Sequence, residues 1–175
     1  MKNQGILENL VNYAYLSLGS NLGNKVFNLE FVKYKLGIND VTIVKSSSYY
    51  LTKSWPNTKF PDFINAVLYV RTNLSLYELF KKIKQIEKSL GRTKKPKNYP
   101  RICDIDIIDF NYISSKYSFL DQKIILPHIR MHQRNFVLIP LYEINKIWIH
   151  PKSKKNIVKL ISSLSNKDLR SIKLT

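Results

Sequence analysis

Two aspartates, Asp104 and Asp106, stand near the start of a strand predicted over residues 99–110. Side chains of a strand alternate between its faces, so both carboxylates share one face with Ile108, whereas Ile105 takes the other. At about 3.3 Å per residue the two Cα atoms lie roughly 6.5–7 Å apart, so the carboxylates can converge on one cation or on a pair of cations. Oxygen-only ligands suit Mg²⁺, although a solvated acidic edge strand would show the same spacing.

The charge around these acids favours the cation site. The chain has 29 Lys+Arg and only 12 Asp+Glu. Basic residues flank the predicted strand on both sides: Arg92, Lys94, Lys95, Lys97 and Arg101 at its start, and Lys123, His128, Arg130 and Arg134 after it. Carboxylates, a metal ion and arginines are together the groups that handle a polyphosphate. The sequence therefore predicts a cation site that faces an anionic substrate.

Length and composition predict a single domain over residues 1–175, with a core at about 13–150 and terminal extensions at 1–12 and 152–175. Hydrophobic residues make up 44% of the chain, which is typical of a globular domain. The single Cys excludes an intramolecular disulfide and fits a reducing compartment. The sequence shows no signal peptide and no run approaching ~18 apolar residues, so we expect a cytoplasmic protein.

The formal net charge of +17 indicates anionic partners. Nucleotides, nucleic acids and acidic membrane surfaces all fit this charge, and composition alone does not choose among them. Lys, Asn and Ile are abundant throughout, so a general compositional bias remains an alternative for the basic tail at 152–173.

Hydrophobic periodicity and turn residues predict the elements that position the acids. Strands are expected at 13–18, 41–50, 63–72 and 99–110, with helices after the turn at 19–24 and from 75 to 90. The second helix has the capping-box sequence Ser75-Leu76-Tyr77-Glu78. Farther along, residues 111–122 are expected to form an irregular or hairpin connection, Pro140 argues against one helix over 134–144, and 156–163 form a short helix.

The order strand, helix, strand, strand, helix, strand predicts an α+β fold. Specifically, we expect a ferredoxin-like sandwich with an antiparallel sheet, two core helices and additional C-terminal elements. Both helices would cover one face of the sheet and leave the other face available to a ligand.

Several short motifs, taken together and in order from about residue 13 to residue 144, resemble the 6-hydroxymethyl-7,8-dihydropterin pyrophosphokinase family. They are Gly19-Ser20-Asn21, Asp62-Phe63-Ile64-Asn65-Ala66, Gly91-Arg92, Pro100-Arg101-x-x-Asp104-Ile105-Asp106-Ile107, Pro127-His128 and Arg134-x-Phe136. The resemblance implies a ferredoxin-like enzyme of folate biosynthesis, which moves the diphosphate of ATP to the hydroxymethyl group of a reduced pterin and releases AMP.

The resemblance also implies roles for individual residues. Asp104 and Asp106 would bind two Mg²⁺ ions and, with Arg92 and Arg101, form the catalytic group. The expected ATP-binding residues are Glu87, Arg92, Lys94, Arg101, Ile107, Lys123, His128 and Arg134. The expected pterin-binding residues are Thr52, Lys53, Phe63, Asn65 and Phe136, of which the two phenylalanines would sandwich the ring.

Other interpretations of these residues remain open. Glu87 could be a surface acid paired with a neighbouring Lys, and Asn65 a plain turn anchor. The strongest rival function is an RNA-binding module, because ferredoxin-like sheets with exposed aromatics bind single strands, but it leaves the paired aspartates without a role. A catalytically inactive relative is a further alternative. We expect a monomer acting on ATP and a reduced pterin, with neither a nucleic acid nor a membrane as partner.

Overall fold

The computed structural model describes residues 11–55, 57–91, 99–119 and 122–175. The elements in chain order are β1 (Asn12–Ser20), α1 (Lys25–Gly37), β2 (Val41–Ser46), β3 (Tyr50–Thr52), β4 (Phe63–Thr72), α2 (Leu76–Ser89), β5 (Asp104–Phe110), β6 (Ser115–Phe119), β7 (Gln122–Leu126), α3 (Asn135–Ile144), α4 (Ile157–Ser162), α5 (Asn166–Arg170) and β8 (Ile172–Leu174). The order of strands in the main sheet is β5-β1-β4-β3-β8, and β2 also pairs with β4.

Every pairing in this sheet is antiparallel. The predicted α+β class and antiparallel sheet are therefore confirmed. The order β5-β1-β4-β2, with α1 and α2 as the intervening helices, is consistent with the ferredoxin-like topology. No helix in the described ranges is long and apolar enough to cross a membrane.

Local sequence accounts for both core helices. The Asn24 side chain accepts a hydrogen bond from the Phe27 N–H at the start of α1. Ser75 and Glu78 form the predicted capping box at the start of α2. A capping side chain satisfies backbone N–H groups that have no partner within the helix, so each helix begins where its cap stands.

Alternation along the strands builds two hydrophobic cores, one on each face of the sheet. Leu16, Leu18 and Leu68 pack on the side of α1 and α2. Tyr15 and Val67 project the opposite way into a cluster with α3, Trp148 and α4. The expectation that the second face would be left to a ligand is therefore wrong in part, because α3 and the C-terminal elements cover some of it.

The strand predicted at 41–50 is two strands, because residues 47–49 leave the regular ladder. The Ser47 hydroxyl oxygen accepts a hydrogen bond from the Val67 N–H at 2.9 Å. The Ser48 N–H donates to the Glu143 carboxylate on α3 at 3.0 Å. The Ser47 N–H still donates to the Val67 carbonyl oxygen at 2.9 Å. Side chains supply the partners in the other two bonds, which hydrophobic periodicity cannot indicate.

Residues 135–144 form one helix, α3, with Pro140 inside it. The prediction that Pro140 would prevent this helix is wrong. A proline in a helix removes one backbone hydrogen bond and costs roughly 3 kcal/mol. Val137, Leu138 and Leu141 are fully buried in the second core, and burying each such side chain contributes about 1.5–3 kcal/mol, which offsets that cost.

Four further outcomes concern the remaining elements. β5 begins at Asp104, so residues 99–103, which were predicted as part of this strand, lie outside it. The connection after it contains the hairpin of β6 and β7, and the short helix expected at 156–163 is α4. No pattern in the sequence indicated β8, which pairs with β3 at the edge of the sheet.

Candidate active site

Asp104 and Asp106 stand at the N-terminal end of β5. In the antiparallel pairing with β1, Asp104 lies opposite Gly19 and Asp106 lies opposite Ser17. Ile105 between them belongs to the core on the other face. The predicted alternation is confirmed, and both carboxylates project from the same face of the sheet.

Each aspartate has an arginine partner. The Arg101 Nη1 donates to Asp104 Oδ2 at 2.9 Å, and the Arg134 Nη1 donates to Asp106 Oδ2 at 2.9 Å. His128 Nε2 lies 3.8 Å from that same Asp106 oxygen. All five side chains are partly exposed. The site therefore presents two anions and three groups that can carry positive charge at one accessible place.

The charges around Asp106 affect its ionisation. Burial opposes ionisation, but His128 and Arg134 outweigh it and lower the pKa of the Asp106 carboxyl below its ordinary value. Burial lowers the pKa of His128, and the Asp106 charge only partly opposes this. At neutral pH the site contains a carboxylate at Asp106 beside an uncharged imidazole.

Glu87 is buried, which excludes the alternative that it is a surface acid. Its Oε1 accepts a hydrogen bond from the Ile105 N–H at 2.9 Å, and its Oε2 pairs with Lys84 Nζ at 2.9 Å. Glu87 therefore ties α2 to the backbone between the two aspartates. The contact restrains the direction in which both carboxylates project.

A cavity of about 200 Å³ opens beside Asp106, at the exposed edge of β5. It is lined by Phe80, Lys84, Ile105, Asp106, Ile107, Lys123, Ile124, Ile125 and His128. Three of the residues predicted to bind ATP, Ile107, Lys123 and His128, therefore meet at one concave place. Sequence reasoning missed Phe80 and Lys84, although their spacing to Glu87 places all three on one side of a helix.

Thr52 and Asn65 lie on neighbouring strands, and both are buried. Asn65 Nδ2 donates to Thr52 Oγ1 at 2.9 Å and to the Tyr50 carbonyl oxygen at 3.3 Å. Because both bonds use the amide nitrogen, they orient the amide and turn Oδ1 toward Gly19. A Cβ atom at Gly19 would stand 3.3 Å from Asn65 Oδ1, so the glycine keeps the space before this oxygen clear. This arrangement suits recognition of a ligand N–H better than a plain turn anchor.

The two predicted aromatic residues, Phe63 and Phe136, lie on the same side of the sheet. Phe63 follows the alternation of Asn65 and Val67 along β4. Phe136 stands in the first turn of α3, packed against the second core, with the Arg134 guanidinium 5.5 Å from the centre of its ring. Lys53, by contrast, is well exposed and pairs with Asp62 at 2.9 Å.

Asn21 joins three segments of the site. Its Oδ1 accepts from the Arg101 N–H at 2.8 Å, and its Nδ2 donates to Ser54 Oγ at 3.3 Å and to the Pro61 carbonyl oxygen at 3.2 Å. The turn after β1 therefore has a structural role, because it connects the loop before β4 to the segment that carries Arg101. Asn21 is part of the quoted motif Gly19-Ser20-Asn21, but nothing local in the sequence shows which segments it joins.

Arg92 and Lys94, predicted to bind ATP, lie outside the described residues, as do the neighbouring Lys95 and Lys97. Apart from Lys53, the remaining residues predicted to bind substrate or metal fall into two groups. Asp104, Asp106, Arg101, Arg134, His128, Lys123, Ile107 and Glu87 surround the cavity end of β5, and Thr52, Phe63, Asn65 and Phe136 lie on the second face of the sheet.

Comparison with known proteins gives one family match and many relatives. Residues 15–146 match the family model described as 7,8-dihydro-6-hydroxymethylpterin-pyrophosphokinase (HPPK). A Bacillus subtilis protein named 2-amino-4-hydroxy-6-hydroxymethyldihydropteridine pyrophosphokinase is 37% identical over 134 residues, which cover 76% of this chain and 78% of that protein. The folic acid synthesis protein fol1 of Pneumocystis carinii is 33% identical over 160 residues, covering 91% of this chain but only 21% of that much longer protein.

Solved structures agree on the fold. A crystal structure of Plasmodium falciparum HPPK-DHPS A437G/K540E with pterin and p-hydroxybenzoate superposes with a TM-score of 0.78 at 15% identity. The match covers 97% of this chain and 48% of that one. The shared fold therefore extends over nearly all of this chain.

Proposed function

This chain belongs to the 7,8-dihydro-6-hydroxymethylpterin-pyrophosphokinase family, and we propose that it transfers the diphosphate of ATP to the hydroxymethyl group of 6-hydroxymethyl-7,8-dihydropterin, giving AMP. The observation that carries the proposal is the group of Asp104, Asp106, Arg101 and Arg134 at the end of β5. Paired carboxylates with paired arginines at one accessible place are what transfer of a polyphosphate group requires.

The nucleotide is assigned to the cavity beside Asp106. Its walls combine apolar side chains, which suit a purine base, with Lys84, Lys123 and His128, which suit phosphates. The base would lie toward α2 and β7, and the phosphates would run past Asp106 toward Arg101. Arg134 and His128 would hold the phosphates from one side of the carboxylates and Arg101 from the other.

The pterin is assigned to the second face of the sheet, near Asn65. The Asn65 amide is oriented by Thr52 and the Tyr50 carbonyl, so its oxygen is an acceptor for the amino and ring N–H groups of a pterin edge. Phe63 and Phe136 supply flat apolar surfaces on that side, which suit offset stacking on the pterin ring.

The donor chemistry at Asp104 and Asp106 fits Mg²⁺. The described part of the chain has no group of three or more His, Cys, Asp or Glu side chains that would enclose a metal. Mg²⁺ commonly keeps several waters and takes only one or two carboxylates together with substrate phosphates, so two aspartates suffice. When bound, the proposed two ions would neutralise phosphate charge and lower the pKa of the attacking hydroxyl.

The transfer forms one bond and breaks one. The pterin hydroxyl oxygen attacks the β-phosphorus, the bond from that phosphorus to the bridging oxygen of the α-phosphate breaks, and AMP leaves with the bridging oxygen. Arg101 and Arg134 hold the phosphates in line and stabilise the charge that develops on them. The hydroxyl proton is released to solvent or to a phosphate oxygen, and no strong general base is assigned.

Replacing Phe136 by alanine is expected to weaken pterin binding roughly tenfold or more, because the substitution removes a stacking surface. Calorimetric titration with 6-hydroxymethyl-7,8-dihydropterin measures this directly. Phe136→Tyr keeps the ring and should bind nearly as the unmodified protein does. Phe27→Ala, which removes a 61% exposed ring on α1, is the matched control. Unchanged affinity of Phe136→Ala would contradict the stacking role.

Phosphorus NMR of the purified protein with Mg-ATP, with and without 6-hydroxymethyl-7,8-dihydropterin, tests the proposed function. We expect AMP and a new diphosphate ester only when the pterin is present. Survival of ATP, or formation of ADP regardless of pterin, would overturn the assignment, and RNA binding would then be the next function to measure. We further propose that the enzyme acts as a cytoplasmic monomer without a nucleic-acid partner.

A further inference from the structure

The C-terminal residues 165–175, here called the C-terminal clamp, contact both sides of the proposed pterin site. The clamp consists of α5, capped by Ser165, and the edge strand β8. Sequence reasoning gave these residues no role. Its contacts to α3 and its contacts to β3 are made by different residues of the clamp, so the two sets can be tested separately.

The first set holds the start of α3. The Asn135 Nδ2 donates to the Asp168 carbonyl oxygen at 2.6 Å and to Ser171 Oγ at 3.0 Å, and Ser171 Oγ donates to that same carbonyl at 2.8 Å. The side chain of the N-cap residue Arg134 makes no capping hydrogen bond, and the Phe136 N–H donates to Asn135 Oδ1 at 2.7 Å. Asn135 stands between Arg134 and Phe136, so the clamp restrains the turn that carries an arginine of the phosphate site and an aromatic residue of the pterin site.

The second set holds β3. This strand has only three residues, and it would be the edge of the sheet without β8. Ile172, Lys173 and Leu174 pair with Thr52, Leu51 and Tyr50. The Thr175 N–H and its hydroxyl both donate to the Tyr49 carbonyl oxygen at 3.0 Å. Thr52 and the Tyr50 carbonyl are the two groups that orient the Asn65 amide, so β8 supports the strand on which that orientation depends.

We propose that the C-terminal clamp is a positioning element of the pterin site, which sets Phe136 through Asn135 and the Asn65 amide through β3. This inference rests on the proposed function. The clamp touches no reacting atom, and it makes no described contact with the cavity assigned to the nucleotide. A side chain that is displaced even slightly from its binding position loses much of its contribution to ligand binding. Loss of β8 should therefore weaken pterin binding and leave nucleotide binding unchanged, whereas loss of the Ser171 contact acts on Phe136 and also on the adjacent Arg134.

Two variants test the two sets of contacts. A chain that ends at Ser171 lacks β8 but keeps α5 and the Asn135 contacts. Ser171→Ala in the full-length chain removes the hydroxyl between Asn135 and Asp168, and Ser171→Thr restores a hydroxyl and serves as the conservative rescue. Lys173→Ala is the matched control for the shortened chain, because it changes an exposed side chain and keeps the backbone pairing.

Calorimetry would measure Mg²⁺-dependent binding of α,β-methylene-ATP, and then binding of 6-hydroxymethyl-7,8-dihydropterin to that complex. We expect the chain ending at Ser171 to bind the pterin roughly tenfold more weakly and to show a similar rise in KM for the pterin. Its affinity and KM for the nucleotide should stay within about twofold of those of the unmodified protein. Ser171→Ala should show a smaller loss that Ser171→Thr reverses, and Lys173→Ala should show none.

Three results would overturn the proposal. Unchanged pterin affinity in the shortened chain would show that β8 does not position the site. An equal loss of pterin and nucleotide affinity, accompanied by a lower Tm, would show a general structural role. A full-length protein that binds no pterin would refute the proposed function and the clamp's role with it, whereas pterin affinity that is unchanged by loss of β8 refutes the clamp alone.

Discussion

Asp106→Asn is expected to lower turnover by about a thousandfold or more while the protein stays folded. The substitution keeps the shape of the side chain and removes its negative charge, so a metal ion loses an anionic ligand and Arg134 loses its partner at 2.9 Å. Removing a single group that stabilises charge in a transition state commonly costs 10²–10³ in rate, and here the metal and an arginine are affected together.

Steady-state rates of AMP formation at saturating ATP and pterin would measure this effect, with Asp104→Asn as the companion variant. The matched control is Asp40→Asn, which makes the same change of charge at an exposed turn beyond α1. Asp40 has a φ of 63°, a conformation that asparagine also adopts readily. Near-normal turnover in Asp106→Asn would contradict the metal assignment.

The difference in unfolding free energy between Asp106→Asn and the unmodified protein should depend on pH. The folded state lowers the pKa of the Asp106 carboxyl, so this group stabilises the protein above the carboxyl's unfolded-state pKa. That stabilisation is lost as the pH falls through the lowered folded-state value. The difference in stability from the unmodified protein should therefore shrink in acid.

Asp109→Asn is expected to become more stable relative to the unmodified protein as the pH rises, which is the opposite of the dependence expected for Asp106→Asn. Asp109 is buried, and the Trp148 indole N–H donates to its Oδ2 at 3.0 Å. Its Oδ1 makes no hydrogen bond of good geometry with the described residues. Burial raises the pKa of Asp109 to about 6, although the Trp148 indole and the nearby backbone N–H groups of Tyr112 and Phe110 favour the ionised form.

A raised carboxyl pKa stabilises the folded protein at low pH, where the group is protonated in both states. This contribution is lost as the pH rises from the ordinary carboxyl pKa of 3.8 to about 6. The loss amounts to about 3 kcal/mol at most, because one pKa unit corresponds to about 1.4 kcal/mol. Asparagine has no such titration, so Asp109→Asn should gain about that much relative to the unmodified protein between pH 4 and pH 7.

Urea denaturation of both proteins at several pH values in this range would measure the difference, and Asp40→Asn again supplies the control, because it makes the same change of charge at an exposed position. The comparison of two proteins at each pH cancels the titration of all other groups. A difference in unfolding free energy that stays constant from pH 4 to pH 7 would contradict the raised pKa.

Patterns among residues that lie close together in the sequence predicted much of the fold and the chemical character of the site. The alternation of Asp104, Ile105 and Asp106 placed two carboxylates on one face because strand geometry repeats every two residues. The capping box at Ser75 located the start of α2 because its hydrogen bonds close within one turn. Both predictions were correct, and both depend on residues within about three positions of each other.

Family motifs added the identities of groups far apart in the sequence. Asp106 and Arg134 are 28 positions apart, yet they form an ion pair. Nothing in periodicity brings them together, and the resemblance implied only a metal-binding role for Asp106 and an ATP-binding role for Arg134, so the pairing itself comes from the structure. Among the predictions that failed, one long strand at 41–50 and no helix across Pro140 were decided by distant contacts of Ser47, Ser48 and the apolar side chains of α3.

The sequence by itself determined the paired carboxylates, the excess of cations around them, the order of strands and helices and the family. These properties follow from local geometry, charge and residue type. Only the tertiary structure decided that Asn21 joins the loop before β4 to Arg101, that Glu87 is buried against the Ile105 N–H, and that β8 completes the sheet beside Thr52. Each of these contacts joins residues far apart in the chain, and such a contact forms only because the whole core holds both partners in place.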